Sequence, residues 1–202
     1  MKKLKLIVLF TLSFLTCFSQ EKRDSVYFQS TYYSGIYSEV KEQPIYIKYR
    51  VLNCGAEGYS RKGISFFKND SIHTSDNADY YKNVWDRGHI VPAASQNCYP
   101  KAIKETFSFL NIALQHERLN QGVWRQLEEY ERSLAWKHKI VDIEVIVEFK
   151  TNQWLKTGAL IPSGFYKIIY LNGNRSATFY FKNIAPNRNS YKDYRVKSWD
   201  GK

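Results

Sequence analysis

Sulfur is scarce in this chain, with three cysteines and one methionine in 202 residues and no Cys-x-x-Cys pair. With only four histidines beside them, a structural zinc site has little support. No Pro/Gly/Ser-rich or low-complexity stretch divides the chain and no repeat recurs, so it reads as one domain with room for a sizeable core. Long apolar runs are missing too. The one candidate, Leu6 to Phe18, has 13 mostly apolar residues, short of the ~20 that a spanning helix needs. Acid is in deficit, with 19 Asp and Glu against 30 Lys and Arg.

The apolar run follows a basic start, Met1-Lys2-Lys3-Leu4-Lys5, and ends in Cys17-Phe18-Ser19. Small residues at the third and last positions before Gln20 make residues 1–19 a cleavable secretory signal, leaving residues 20–202 as the domain. That predicts a secreted or periplasmic protein with no stable membrane insertion. Lipid attachment at Cys17 is the competing reading, and Thr16 fits a lipobox poorly. Losing Lys2, Lys3 and Lys5 lowers the formal net charge from +11 to +8. Such a surface favours polyanions, nucleic acid first and anionic membrane second, although many secreted proteins are simply basic. Only Cys54 and Cys98 remain, an even pair that suggests one disulfide in an oxidising compartment. Two unpaired thiols are the other reading, since sequence does not show how close their Cα atoms lie.

What is present begins with aromatics, 16% of the chain, which fits a well-packed domain containing β-structure. Gln20 to Ser30 reads as ragged and residues 72–84 as a polar loop. Strands are predicted at Gln43–Leu52, Ile90–Ala93, Thr106–Ile112 and Ile140–Val147. Phe165–Tyr170 and Ala177–Phe181 flank Asn172-Gly173, a hairpin turn signal. Leu119, Val123, Leu127, Tyr130 and Leu134 form one apolar stripe of a helix. Asn120, Trp124, Glu128 and Arg132 form a second stripe beside it, with Trp124 read as core.

The chemistry centres on Trp85-Asp86-Arg87-Gly88-His89, which runs into Ile90-Val91-Pro92-Ala93-Ala94-Ser95. Glycine before His89 lets the backbone bend tightly or approach a ligand. An imidazole can accept a proton near neutrality, and the Arg87 fork fits phosphate oxygens. Alone, Asp86-Arg87-Gly88-His89 reads equally well as a salt bridge in a loop. A second element stands downstream: Asn111, Gln115, Leu119-Asn120, Trp124 and Leu127-Glu128.

Together the two elements resemble the DNA/RNA non-specific endonucleases of the ββα-metal type, including the endonuclease G branch. Asn77-Ala78-Asp79-Tyr80, Ile161-Pro162-Ser163-Gly164-Phe165-Tyr166-Lys167 and Ile184-Ala185-Pro186-Asn187 add to the likeness, which covers roughly residues 45–187. The resemblance implies an α+β fold: a mixed or antiparallel sheet, a ββα-metal motif and one long catalytic helix. It also implies Mg²⁺, or alternatively Mn²⁺, and DNA and RNA as partners. His89 would be the general base and Asn120 the protein ligand of the metal. Glu128 would orient a metal-bound water, and Arg87, Arg132 and Arg61 would hold phosphate charge. Arg61 stands farther from Phe67 than the family spacing. In a regular helix eight residues place Asn120 and Glu128 ~12 Å apart along the axis, so direct ligation of one ion by both is disfavoured.

The bland readings are Asn120 as a helix cap and Glu128–Arg132 as a surface i,i+4 pair. His116 and His138 read as surface residues, and His73 carries no assigned role. Leu110, Leu114 and Glu148-Phe149-Lys150 depart from the family pattern, which bears on groove shape and activity. The expected function is an exported, Mg²⁺-dependent, sugar-nonspecific endonuclease. A non-catalytic secreted nucleic-acid-binding module is the alternative, and a basic surface-adhesion protein is the third reading.

Overall fold

The computed structural model describes residues 21–54 and 58–199. The leader and Cys17 lie outside them. The main body is a seven-stranded sheet in the order β1-β2-β3-β6-β7-β8-β9. Its strands are β1 (Val26–Gln29), β2 (Tyr33–Ser38), β3 (Gln43–Arg50), β6 (Val141–Glu148), β7 (Gly164–Leu171), β8 (Asn174–Lys182) and β9 (Arg195–Val196). Every pairing in it is antiparallel. A separate hairpin joins β4 (Trp85–His89) to β5 (Ile112–His116). The architecture is α+β, with a mostly antiparallel sheet and one long helix.

Alternation drives the central strands. In β6, Val141, Ile143, Val145 and Val147 are buried while the residues between them are not. The β7–β8 hairpin turns at Asn172-Gly173, both with positive φ (49° and 86°), as a tight two-residue turn requires. Trp124 anchors the helix to the sheet between Phe165 on β7 and Phe181 on β8, with ring centroids 5.5 and 5.6 Å away. Leu119, Val123, Leu127 and Leu134 are buried along the predicted stripe.

The helix is not regular. Short α2 (Glu117–Leu119) passes into a π-turn at Asn120–Trp124, and α3 (Arg125–Ala135) follows. Gly122 sits in the π-turn with non-helical dihedrals (φ −102°, ψ −114°). Glycine costs about 1 kcal/mol against alanine in a helix interior, and π-turns cluster at functional sites. The straight-helix spacing of Asn120 and Glu128 therefore does not apply.

The hairpin also departs from expectation. Ile90–Ala93 is no strand: β4 is the Asp86–His89 motif itself, and a 3₁₀ turn at Ala93–Ser95 follows Pro92. The N–H groups of Ile90 and Val91 donate to the Asn111 carbonyl (2.9 Å) and to its Oδ1 (2.8 Å), so they are not free for a ladder. Thr106–Asn111 is likewise turn rather than strand, with Ser108 capping a 3₁₀ turn at Phe109–Asn111. Both predicted strands slid because apolar runs mark burial, and turns can be buried when a side chain such as Asn111 satisfies their backbone. The ragged reading of Gln20 to Ser30 fails at Val26–Gln29, where β1 pairs with β2. Of β1 only Phe28 is buried, too little to show a period.

Cys54 and Cys98 form a disulfide with Cα atoms 4.9 Å apart. It ties the chain after β3 to the segment between β4 and α1 (Pro100–Glu105). Leu110 and Leu114 are core residues, so these departures from the family pattern do not line the site. Among the described residues no helix is long and apolar enough to cross a membrane.

Candidate active site

One cleft of about 1120 Å³ lies between the hairpin and the helix. Arg61, Arg87, His89, Asn120, Glu128 and Arg132 all line it, so the structure brings together all six residues singled out from sequence. Five cations face it (Arg61, Lys62, Arg87, Arg125 and Arg132) against three acids, Asp86, Glu128 and Glu129.

Register sets the hairpin wall. Gly88 pairs with Ala113 and His89 with Ile112. A Cβ on residue 88 would lie 2.5 Å from the Gln115 side chain, so glycine is required here for close packing, not for a bend. His89 is held against Phe66 and Phe107, with ring centroids 5.5 and 5.0 Å away. Burial and the Arg61 charge hold its pKa down at about 4, while a hydrogen bond to the Arg87 backbone pulls the other way. His89 is therefore neutral at neutral pH. Its Nε2 is buried with no hydrogen-bond partner among the described residues, which leaves a lone pair for a water proton.

Arg87 is not paired with Asp86, contrary to the loop salt-bridge reading. Its Nε donates to Asn77 Oδ1 (3.0 Å), and its guanidinium lies over Phe66 and Tyr80 at 5.3 and 5.4 Å. The segment Asn77-Ala78-Asp79-Tyr80 thus works as a cradle for Arg87. Asp86 instead accepts from Asn120 Nδ2 (2.9 Å) and Gln121 Nε2 (2.8 Å). Sequence reasoning missed this link, although Asp86 stood inside the motif.

The link fixes Asn120. With its amide nitrogen spent on Asp86, Oδ1 is the atom left to accept or ligate. Glu128, two turns on, keeps some exposure while its carboxyl is surrounded by protein atoms. Burial raises its pKa to about 7, against lowering by Lys167 and Arg132, with Glu131 adding to the rise. Arg132 Nη1 is buried without a partner among the described residues, a donor suited to an anion. The surface-pair reading of Glu128 and Arg132 is thereby replaced by two groups facing one cleft.

The remaining histidines stand elsewhere. His116 caps α2 by accepting from the Arg118 N–H (3.2 Å), His138 follows α3, and His73 lies 2.7 Å from Glu42. Among the described residues no three His, Cys, Asp or Glu side chains converge as a metal cage. The donor the cleft offers, Asn120 Oδ1, is a hard oxygen. It fits an ion that keeps most of its waters.

A β-hairpin leads into a helix, with a histidine on the first strand and an amide and a carboxylate on the helix, the ββα arrangement that the sequence resemblance implies. The chain belongs to the DNA/RNA non-specific endonuclease family, whose profile matches residues 14–200. It is 39% identical over 84 residues to the mitochondrial endonuclease G of Homo sapiens, covering 40% of this chain and 28% of that protein. To the nuclease of Serratia marcescens it is 30% identical over 122 residues, covering 55% of this chain and 45% of the other. The chain thus aligns with about a quarter of the length of its endonuclease G relatives. A crystal structure of an EndoG/EndoGI complex, described as showing the mechanism of EndoG inhibition, superposes with a TM-score of 0.73 at 20% identity. That match covers 84% of this chain and 79% of the other and bears on the fold alone.

Proposed function

We propose that this chain is an exported, Mg²⁺-dependent endonuclease that hydrolyses phosphodiester bonds of DNA and RNA without regard to sugar. The observation that carries the reading is the neutral His89 with an unpartnered Nε2, in a cleft whose rim is mostly cationic. His89 takes the proton of the attacking water. Arg87, Arg132 and Arg61 hold the non-bridging phosphate oxygens, and the bound anion in turn favours the imidazolium that forms. Asn120 Oδ1 would hold the ion, with Asp86 fixing the amide, and Glu128 would accept from an ion-bound water. When bound, the ion supplies charge neutralisation at the phosphate and the leaving oxygen. Mn²⁺ satisfies the same donors.

Export is supported by the basic-then-apolar leader and by the Cys54–Cys98 disulfide, which suits an oxidising compartment. The mature protein would be residues 20–202.

The test is degradation of supercoiled plasmid and of structured RNA by purified mature protein, with and without chelator. Cleavage of both, lost with chelator and restored by Mg²⁺, is expected. Tight binding without cleavage under any metal would instead make the chain a nucleic-acid-binding module.

A further inference from the structure

Behind the helix lies a second set of charges that the proposed chemistry does not use. Lys167 on β7 and Glu131 on α3 are both 0% exposed, and their Nζ and Oε1 lie 2.9 Å apart. Glu131 Oε2 accepts from the Tyr49 hydroxyl on β3 at 2.7 Å. The Lys167 ammonium stands 4.1 Å from the centroid of the Trp124 ring. Lys167 points at the helix because β7 alternates: Phe165, Lys167 and Ile169 share one face.

Burying two charges carries a desolvation penalty of several kcal/mol per ion, and apolar residues of similar volume commonly stabilise as well or better. Stability alone is thus a weak reason for ions here. Their position supplies a better one. Glu131 is three residues beyond Glu128, and Trp124, beneath the Lys167 ammonium, is four residues before it and closes the π-turn that carries Asn120. We propose that Lys167, Glu131 and Tyr49 form a buried positioning unit that acts through Trp124 and the first turns of α3, seating the kinked helix so that Asn120 and Glu128 face the cleft. The inference rests on the nuclease reading of the cleft.

The charged groups bearing on Glu128 are Lys167 from β7 and Glu131 and Arg132 from α3, with Tyr49 near from β3. Burial opposes ionisation of Glu128, and the Lys167 charge is the largest influence in its favour. Glu131 works against Lys167 at Glu128 while holding it in place. Removing either partner therefore has opposite consequences at Glu128, whereas a merely structural pair would leave the pH dependence of cleavage where it is in wild type.

The experiment compares Lys167→Met with Glu131→Gln in the full mature chain, following cleavage of a plasmid substrate with Mg²⁺ across pH. Lys167→Met should lower kcat by about ten- to a hundred-fold with KM little changed, as losing an outer-shell partner does, and should move the acid limb to higher pH. Glu131→Gln should move that limb to lower pH. Because Lys167→Met leaves Glu131 without its cation and can fail to fold, Tyr49→Phe provides a milder arm, with a several-fold loss of kcat at unchanged KM. Metal-free protein gives an independent readout. The part of the acid-to-neutral fall in melting temperature that adding Glu128→Gln abolishes, taken within each variant, should be larger in Lys167→Met and smaller in Glu131→Gln. Limbs that stay put, or move the same way in both variants, overturn the inference while wild-type cleavage upholds the nuclease reading. No cleavage by wild type overturns that reading instead, and the metal-free melts still decide whether Lys167 governs Glu128.

Discussion

The two walls of the cleft carry one desolvated titratable group each, and burial moves them in opposite directions. On the hairpin, His89 is pushed down to about 4. On the helix, Glu128 is pushed up to about 7. The physical cause is the same, because a low-dielectric site disfavours whichever form is charged. The means of control differ. The hairpin wall is built locally: Phe66, Phe107 and the Arg87 backbone set His89, and Asn77 and Tyr80 set Arg87. The helix wall is influenced from a distance: the Lys167 charge on β7 favours ionised Glu128, and Glu131, bonded by Tyr49 of β3, holds that lysine in place. A base that must stay neutral needs only an apolar surround. A carboxylate that must stay charged in the same cleft needs a buried counter-charge, and this fold imports one from across the sheet.

The largest expected effect comes from breaking the hairpin wall. His89→Ala should lower cleavage by ~10²–10⁴-fold, the usual contribution of a general base, while nucleic-acid binding persists. Removing a ring packed between Phe66 and Phe107 lowers the melting temperature modestly without unfolding the domain. Single-turnover cleavage beside a melting curve measures both, and near-normal turnover in a folded variant would remove His89 from the mechanism.

On the helix wall the expected losses are graded. Asn120→Ala should raise the Mg²⁺ concentration needed for cleavage far more than it weakens DNA binding. Glu128→Gln should be milder, at ~10–100-fold in rate. Asn120→Asp keeps the reach and adds a charge beside Asp86, so it should hold metal yet alter activity. Metal titrations of all three rank them, and an unchanged Mg²⁺ requirement in Asn120→Ala would return that residue to a purely local role with Asp86. Smaller still is Arg61→Ala, at the edge of the hairpin wall. It should weaken binding several-fold and reduce the slope of log affinity against log salt by about 1. An unaltered slope would mean that Arg61 acts only on the His89 charge.

The groups on both walls were legible in sequence, but the remote partners of the helix wall were not. Asp86, Arg87 and His89 fall within four residues, and Asn120, Glu128 and Arg132 share one helical stripe, so the family resemblance could be carried onto both sets position by position. Phe165 and Lys167 lay in a matched segment too, but nothing in a strand's own residues says which partner a buried lysine meets. That depends on β7 passing beneath α3, a matter of sheet order. The Asp86–Asn120 hydrogen bond was missed for the same reason, being 34 residues apart and made only when hairpin and helix close on each other. The π-turn escaped because Gly122 interrupts a stripe whose apolar positions still fit a regular period. The hairpin strands were misplaced because Ile90–Val91 and Phe107–Leu110 are apolar for burial, and Asn111 lets turns bury there.

The comparison is tested most directly through stability in metal-free protein. The His89 pKa is lower in the folded state than its ordinary value near 6.5. Its contribution is therefore full above pH 6.5 and is lost as pH falls toward 4. The Glu128 pKa is higher in the folded state than its ordinary value near 4.5. Its contribution is full below pH 4.5 and is lost as pH rises toward 7. Between pH 4.5 and 6.5 the two slopes oppose each other, so the wild type should change little on their account. His89→Asn removes the acid-side loss and should gain stability relative to wild type as pH falls through that window. Glu128→Gln removes the neutral-side loss and should gain relative to wild type as pH rises through it. Each difference should reach roughly 2 kcal/mol, a value already reduced for the partial exposure of both residues. Other carboxylates titrate in acid, Glu39 with a pKa of about 2 among them, so the measurement is the difference from wild type at each pH. Crossing difference curves establish two walls poised against each other, whereas parallel curves would show that at least one of the two groups is solvated like an ordinary surface residue.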